Sequence, residues 1–415
     1  MKMILFFSLI CSLNSPPGYA QPSVTNLTRD GSMDEAQADF ALDLIRTATT
    51  NDESVVLSPF SVVQALTMTY VGAEGETKKQ MSNVLTKGQG RQQFNKYFSS
   101  LLTDITKKKD KYILNLANRI YIQQNFDLKL AYLNIIKSHY DGQLQQVNFT
   151  QEDAIDDIIT WQYSTNTLSN KQEIHLQEIN KWVMQQTNDK IKNLISQSDI
   201  STDTKLLLVN AVYFKGNWKK SFNKKMTKKK TFHSDKLKEM EMMTMEGYFP
   251  YYEDDDVQVL GMPYAGDEVH LYIVLPQKQS GLVDIEKNLT GKKLLHYMQS
   301  CSEIEVKVEI PKFKIENRTE LVNSLQEMGI NDAFTSAANF TGITDVPLYI
   351  NAVFHESFIE VNEKGTEAAA ASAVGIFLRS APITLAPVKL FRANHPHLFA
   401  ITWHSSTILF IGRIV

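Results

Sequence analysis

Along this chain the spacing of hydrophobic residues changes, and the changes mark out its elements. Phe40, Ala41, Leu44, Ile45 and Ala48 follow the three-and-four spacing of one helical face, and Ser32 with Glu35 ahead of them makes a capping box. Ser58 followed by Pro59 opens a second helix, which runs through Val62, Val63, Leu66, Met68 and Val71 and closes at Gly72. Further helical patterns fall near 76–85, 128–139, 178–195, 282–298 and 319–328. Strand-like runs lie between them, at 111–122, 205–214, 257–262, 268–275, 303–315, 348–361 and 398–411. In "EIEVKVEI", Ile304, Val306, Val308 and Ile310 alternate with charged residues, as on a half-buried strand. "MPYAGDEVHLYIVLP" predicts a hairpin turning at Ala265–Glu268, and "LFAITWHSSTILFIGRIV" another at His404–Thr407. Helices cluster early and strands late, without regular βαβ alternation, so the expectation is α+β with large antiparallel sheets. No repeat and no Pro/Gly/Ser-rich linker divides residues 21–415, which are expected to form one domain.

The first residues break this pattern. "MKMILFFSLICSL" puts a lysine before an apolar run from Ile4 to Leu13, and Gly18 and Ala20 follow at the small-residue positions of a cleavage site. This predicts a secretory signal over 1–20, cut after Ala20; the apolar run is too short to span a bilayer. The expectation is a secreted, extracellular protein with no membrane partner. Cys11 would leave with the signal, and Cys301 alone can form no internal disulfide. Asn26, Asn148, Asn288, Asn317 and Asn339 head glycosylation sequons, about half of them expected to be usable.

A formal net charge of −3 over 415 residues leaves no electrostatic footprint for nucleic acid. Catalytic signatures are missing: there is no G-x-S-x-G, no H-E-x-x-H and no phosphate-binding glycine loop. His395 and His397 in "HPH" lack further ligands at metal spacing, and "EDDD" at 253–256 lacks the spacing of a calcium loop, so both read as structural or turn features. No enzyme, metal or cofactor is expected.

Several separated stretches point to one family: "LSPFSVVQALTMTYVGAEGETKKQM" (57–81), "LANRIYI" (116–122), "LVNAVYFKGNWKKSF" (208–222), "LGMPYAGDEVHLYIVLP" (260–276), "VEIPKFKIE" (308–316), "LQEMGINDAF" (325–334), "FIEVNEKGTEAAAASA" (358–373) and "HPHLFAITWHSSTILFIGRIV" (395–415). In this order and over nearly the whole chain, they make it resemble a serpin. The resemblance implies a single α+β domain of three β-sheets and about nine helices, with an exposed reactive-centre loop at about 363–392. It implies a monomeric suicide inhibitor of serine proteases, held in a covalent complex with its target. After cleavage the loop would enter the main sheet as a new strand. Ser58, Ser61, Asn210 and His355 match the family's shutter, a polar cluster under that sheet. Trp218, Lys312 and Glu363 match its breach, where insertion begins.

The hinge of the loop is Glu363, Lys364, Gly365, Thr366, Glu367, Ala368, Ala369, Ala370, Ala371 and Ser372. Strand side chains alternate faces, so Thr366, Ala368, Ala370, Ser372 and Val374 would share the inward face on insertion. All are small or β-branched and would enter a packed sheet without severe overpacking. No proline interrupts the insertion segment before Pro382, so its backbone N–H groups are available to pair. The family's count of sixteen positions from hinge glutamate to bait residue lands on Arg379, which predicts cleavage at Arg379–Ser380 by trypsin-like enzymes. Phe377 and Leu378 offer an alternative to chymotrypsin-like enzymes. A non-inhibitory carrier or binding protein is the other reading.

Two basic clusters are candidates for a sulfated polysaccharide: Lys107, Lys108, Lys109 and Lys111, and the denser "KKSFNKKMTKKKTF" at 219–232. In each, the alternative is a solvated lysine face. One departure from the family is a segment at about 154–176, read as an insertion between "QVNF" (146–149) and "INKWV" (179–183).

Overall fold

A computed structural model describes residues 31–50, 52–106, 111–140, 143–149, 168–366 and 387–415. Nine α-helices occur among them: α1 (Gly31–Ala48), α2 (Pro59–Tyr70), α3 (Gly75–Thr86), α4 (Arg91–Thr106), α5 (Leu130–His139), α6 (Leu168–Gln186), α7 (Leu282–Asn288), α8 (Gly291–Gln299) and α9 (Val322–Glu327). The strands are β1 (Val55–Leu57), β2 (Tyr112–Gln123), β3 (Leu144–Val147), β4 (Leu206–Asn217), β5 (Lys228–Phe232), β6 (Lys238–Glu253), β7 (Val257–Pro263) and β8 (Val269–Pro276). They continue as β9 (Ser302–Pro311), β10 (Phe313–Glu320), β11 (Ala352–Val361), β12 (Gly365–Thr366), β13 (Lys389–Arg392), β14 (His397–Trp403) and β15 (Thr407–Ile414).

These strands form two hydrogen-bonded sheets. One runs β10-β11-β4-β2-β3, with β12 on β4; the other holds nine strands in the order β1-β15-β14-β8-β7-β6-β9-β13, with β5 on β6. Two of the three sheets implied by the resemblance are joined through β6, which is long enough to pair with β5 and β9 along its length and with β7 at its end. Both predicted hairpins form. Gly266 and Asp267 carry the first turn and His404 and Ser405 the second, all with positive φ.

The larger core packs α1, α2 and the nine-stranded sheet against one face of the six-stranded sheet, through residues such as Phe40, Leu66, Val212, Phe214 and Phe410. On its opposite face, α6 and the residues after it cover Val209, Ala211, Tyr213, Phe354 and Phe358 with Ile179, Val183, Ile191 and Leu194. Burying so much apolar surface, at about 25 cal/mol per Å², is what holds a fold with no disulfide among the described residues. Cys301, half-buried, donates to the carbonyl of Tyr297, and burial pushes its thiol up to about 12, so it is no nucleophile.

Several boundaries differ from the expected ones. Ser58 does cap α2, accepting from the Ser61 N–H with Pro59 at the first position. Ser32, however, lies inside α1 rather than ahead of it, and its hydroxyl accepts from Gln89. The run at 282–298 is two helices, because Thr290 caps α8 anew by accepting from Lys293 N–H. The run at 303–315 is two strands, β9 and β10. α6 starts ten residues earlier than 178 and ends at Gln186, ahead of the left-handed pair Asn188 and Asp189. Thus 168–176 forms the first turns of α6, while 154–167 lies outside the described residues.

Candidate functional site: a seam between two parallel strands

In the centre of the six-stranded sheet, β4 and β11 lie side by side. They pair in parallel from Ala352–Leu207 to Phe358–Tyr213. Above Tyr213, β4 is no longer matched by β11. There the chain reverses at Glu363 and Lys364, with Asn362 and Gly365 exchanging both backbone hydrogen bonds at 2.9 and 3.1 Å. β12 then runs back antiparallel to β4, with Gly365 opposite Asn217 and Thr366 opposite Gly216. The seam is closed at its base and already holds two residues of a third strand at its mouth.

The closed part is underpinned by neutral polar groups. Ser58, Ser61, Asn210 and His355 come together as expected, all buried. The Ser58 N–H donates to Nε2 of His355 at 3.0 Å, which places the ring proton on Nδ1, and Nδ1 donates to Oδ1 of Asn210. Asn210 Nδ2 donates to Ser61 Oγ at 2.5 Å and to Asn118 Oδ1. Asn118 passes the chain on to Gln64 Oε1 at 2.7 Å, and Ser58 Oγ donates to the carbonyl of Leu409 at 2.7 Å. Full burial pushes His355 down to about 3, so the ring is neutral across the physiological range. Asn118 and Gln64 were not singled out from the sequence.

The mouth is held differently. Trp218 stacks on Tyr264 with ring centroids 4.4 Å apart, and its indole N–H donates to the carbonyl of Asn362 at 2.9 Å. Its backbone N–H donates to the carbonyl of Lys364 at 3.0 Å. The buried Glu363 carboxylate accepts from Thr227 Oγ1 at 3.0 Å and lies 3.5 Å from Lys312 Nζ, which also reaches Glu241 at 3.5 Å. Burial works against the charge of Glu363. Its own backbone N–H, Thr227 and Lys312 outweigh burial and hold the carboxyl below its usual range. Gly365 has φ +129°, and a Cβ there would meet Gly216 O at 2.3 Å and Asn217 Cα at 2.7 Å, so only glycine fits. Thr227 and Asn362 are the contacts missed from the sequence.

Glu367, Ala368, Ala369, Ala370, Ala371, Ser372, Phe377, Leu378, Arg379 and Ser380 lie outside the described residues, as do Lys107, Lys108, Lys109 and residues 1–20. Lys111 is exposed. His395 and His397 do not face solvent: a ring nitrogen of each lies at a backbone carbonyl, of Pro276 at 2.8 Å and of His395 at 2.7 Å. Among the described residues no three His, Cys, Asp or Glu side chains are grouped to hold a metal, and no helix is long and apolar enough to cross a membrane. The acidic run at 253–256 is a turn, in which Asp254 Oδ1 accepts from the N–H groups of Asp256 and Val257.

A mixed sheet with a seam open at one end, polar beneath and glycine-hinged above, defines the class of protein, and comparison with known proteins agrees. The sequence matches the family described as Serpin (serine protease inhibitor) over residues 35–167 and 152–415, two stretches that overlap within the segment read as an insertion. This chain belongs to the serpin family. It is 36% identical over 391 residues to Serpin B6 of Macaca fascicularis, covering 91% of this chain and 98% of that protein. It is equally identical over 383 residues to an uncharacterized serpin-like protein of Methanosarcina acetivorans, covering 90% and 84%. Uncleaved ovalbumin superposes with a TM-score of 0.77 at 28% identity, covering 92% of this chain and 99% of ovalbumin. The native state of tengpin, a thermophilic serpin, superposes with 0.80 at 27%, covering 93% and 94%. Human thyroxine-binding globulin, solved with its ligand, shares the fold at a TM-score of 0.77 and 25% identity, so membership alone does not decide between inhibitor and carrier.

Proposed function

We propose that this serpin is a secreted suicide inhibitor of trypsin-like serine proteases, cleaved at Arg379–Ser380. The observation that carries the reading is β12: Gly365 and Thr366 of the hinge already pair with β4 in the direction an inserted strand would take. Continuing that register sets Ala368 opposite Phe214, Ala370 opposite Val212 and Ser372 opposite Asn210, so small residues meet large ones along the core face. His355 is the parallel partner of Asn210, and Ser372 would therefore arrive between them. A serine hydroxyl can accept from His355 Nδ1–H and donate to Asn210 Oδ1, so the hydrogen bond broken by insertion is replaced rather than lost.

The chemistry follows from this geometry. The protease serine attacks the Arg379 carbonyl, the Arg379–Ser380 bond breaks, and Arg379 is left as an ester on the enzyme. Insertion from Thr366 would carry that ester along about 14 residues, some 45 Å at roughly 3.3 Å per residue. The pull drags the catalytic serine out of register with its histidine, and deacylation stops.

Incubation with trypsin tests the proposal: a covalent complex should survive SDS, and Arg379→Ala should abolish it. Cleavage of the loop without a complex would favour the carrier reading, and a complex of undiminished yield with Arg379→Ala would move the bait bond to Leu378 or Phe377. Secretion rests on the signal-like residues 1–20, and glycosylation depends on it. Asn288 is exposed at the end of α7, whereas Asn317 is half-buried within β10, so Asn288 is the better acceptor.

A further inference from the structure

Below the Ala352–Leu207 pair, where the β4–β11 ladder ends, one residue continues it. Asn351 Oδ1 accepts from the backbone N–H of Lys205 at 2.8 Å and from that of Leu206 at 3.2 Å. The backbone N–H of Asn351 donates to the carbonyl of Leu206 at 2.9 Å, and Nδ2 donates to the carbonyl of Asp203 at 3.4 Å. Asn351 thus occupies both backbone groups of Leu206, as a strand partner does. The neighbouring bonds run outward from the seam instead. The Lys205 carbonyl accepts from Gln123 N–H at 2.9 Å on the β2 side, and beyond β11 the Ile350 N–H donates to the carbonyl of Ala333 at 2.9 Å. The Lys205 ammonium also lies 5.0 Å from the centre of the Tyr349 ring, a weaker tie between half-buried residues.

A strand entering from the mouth would meet these bonds last. β12 pairs Thr366 with Gly216, and the Trp218 backbone N–H donates to the carbonyl of Lys364. Bonded pairs alternate along an antiparallel ladder, so the same register makes Ile376 and Leu206 a bonded pair. Ile376 would accept from the Leu206 N–H and donate to the Leu206 carbonyl, the two groups that Asn351 holds. Gly375, one residue earlier, would face Leu207 at the end of the ladder. We infer that Asn351 is an end-of-travel catch: it keeps β4 and β11 joined at the foot of the seam until the inserting strand reaches Ile376, which takes over its bonds to Leu206. The inference rests on the insertion reading given above. A strand halted at Gly375 would leave the Arg379 ester short by residues 376–379, about 13 Å. Asn351 is therefore a positioning residue. It touches neither the protease nor the scissile bond, and sets the resistance met over the last part of the travel.

Two synthetic peptides test this on the intact native protein: residues 368–375, which end opposite Leu207, and residues 368–379, which pass Asn351. Their affinities are read from the fluorescence anisotropy of the labelled peptides. In Asn351→Ala the N–H of Leu206, a fully buried residue, loses its partner, and the longer peptide supplies a new one. That peptide should bind the variant about tenfold more tightly than wild type, and the shorter should bind both equally. Asn351→Asp keeps the accepting oxygen and should restore wild-type affinity for the longer peptide. A merely structural role would move both peptides together. An equal change for both, no change for either, or failure of Asn351→Asp to restore binding would overturn the catch. Binding of the shorter peptide to wild type reports strand uptake by itself. If neither peptide bound, the insertion reading would fall and the catch with it, so the two failures are distinct.

Discussion

The two ends of the β4–β11 seam solve opposite problems. At its base, the strands are paired directly, and the groups beneath them are neutral, buried and mutually hydrogen-bonded. At its mouth, the strands have parted, the ion pair is partly exposed and spans 3.5 Å, and a glycine occupies a conformation closed to other residues. A neutral network can exchange one hydroxyl for another without exposing a charge in a low-dielectric interior. A charged mouth can be wetted and rearranged at little cost. The difference teaches that the closed end of the seam is built from directly paired strands over neutral groups, and the open end from charge and a glycine hinge.

The hardest way to break this comparison is at the base. His355→Ala removes a ring that satisfies the Ser58 N–H and Asn210, and leaves a cavity and unpaired polar groups; it should cost about 3–5 kcal/mol by urea denaturation. A loss under about 1 kcal/mol would mean that the base is no stronger than the mouth.

Next in size is acid. His355, with its value pushed down to about 3, stays neutral in the fold but charges in the unfolded chain below about 6.5. Its contribution is intact above pH 6.5 and is lost progressively as pH falls toward 3, amounting to about 2 kcal/mol at pH 5. Half-buried His270 and buried His397, each pushed down to about 4, act with the same sign. Glu356, pushed up to about 7 by burial and by Glu316, acts in the opposite sense, because acidification toward 4.5 favours the fold. The measurement is therefore differential: from pH 7 to 5, wild type should lose about 2 kcal/mol more than His355→Gln.

At the mouth, Gly365→Ala should cost about 1–3 kcal/mol of local strain, seen as a change in Trp218 emission with a smaller shift in global unfolding. Smallest of all, Lys312→Ala should cost no more than about 1 kcal/mol, less at high salt, because the lysine is about one-third exposed. If Lys312→Ala matched His355→Ala, the two ends would be equivalent and the comparison would fail.

Much of this site was legible in the sequence because its residues sit in distinctive local runs. Ser58 precedes a helix-starting proline, and Gly365 sits in a hinge of small residues. Asn118 and Gln64 were passed over because neither stands alone: Arg119 follows Asn118, and Ser61, Thr67 and Thr69 share the helix with Gln64. α4 was overlooked although Phe94, Phe98, Leu101 and Ile105 follow helical spacing and are buried. β6 had less to show. "KEMEMMTMEGYFPYYE" includes a glycine and a proline and is rich in methionine and glutamate, which strands disfavour or use little. It is a strand because β5, β7 and β9 each supply it with partners, a tertiary cause that local propensity does not record.

The two-residue β12 also bears on rate. Adding a strand to a sheet is slow mainly because chain ends must find one another and choose a register, an entropic search that precedes any reward. Here the search is already over. Gly365 and Thr366 fix which residues follow which, and a slip by one would turn the whole segment inside out. On the proposed mechanism, what is left after cleavage is propagation from an existing nucleus. The race against a protease that hydrolyses its ester within milliseconds to seconds would then start with the slowest step behind it.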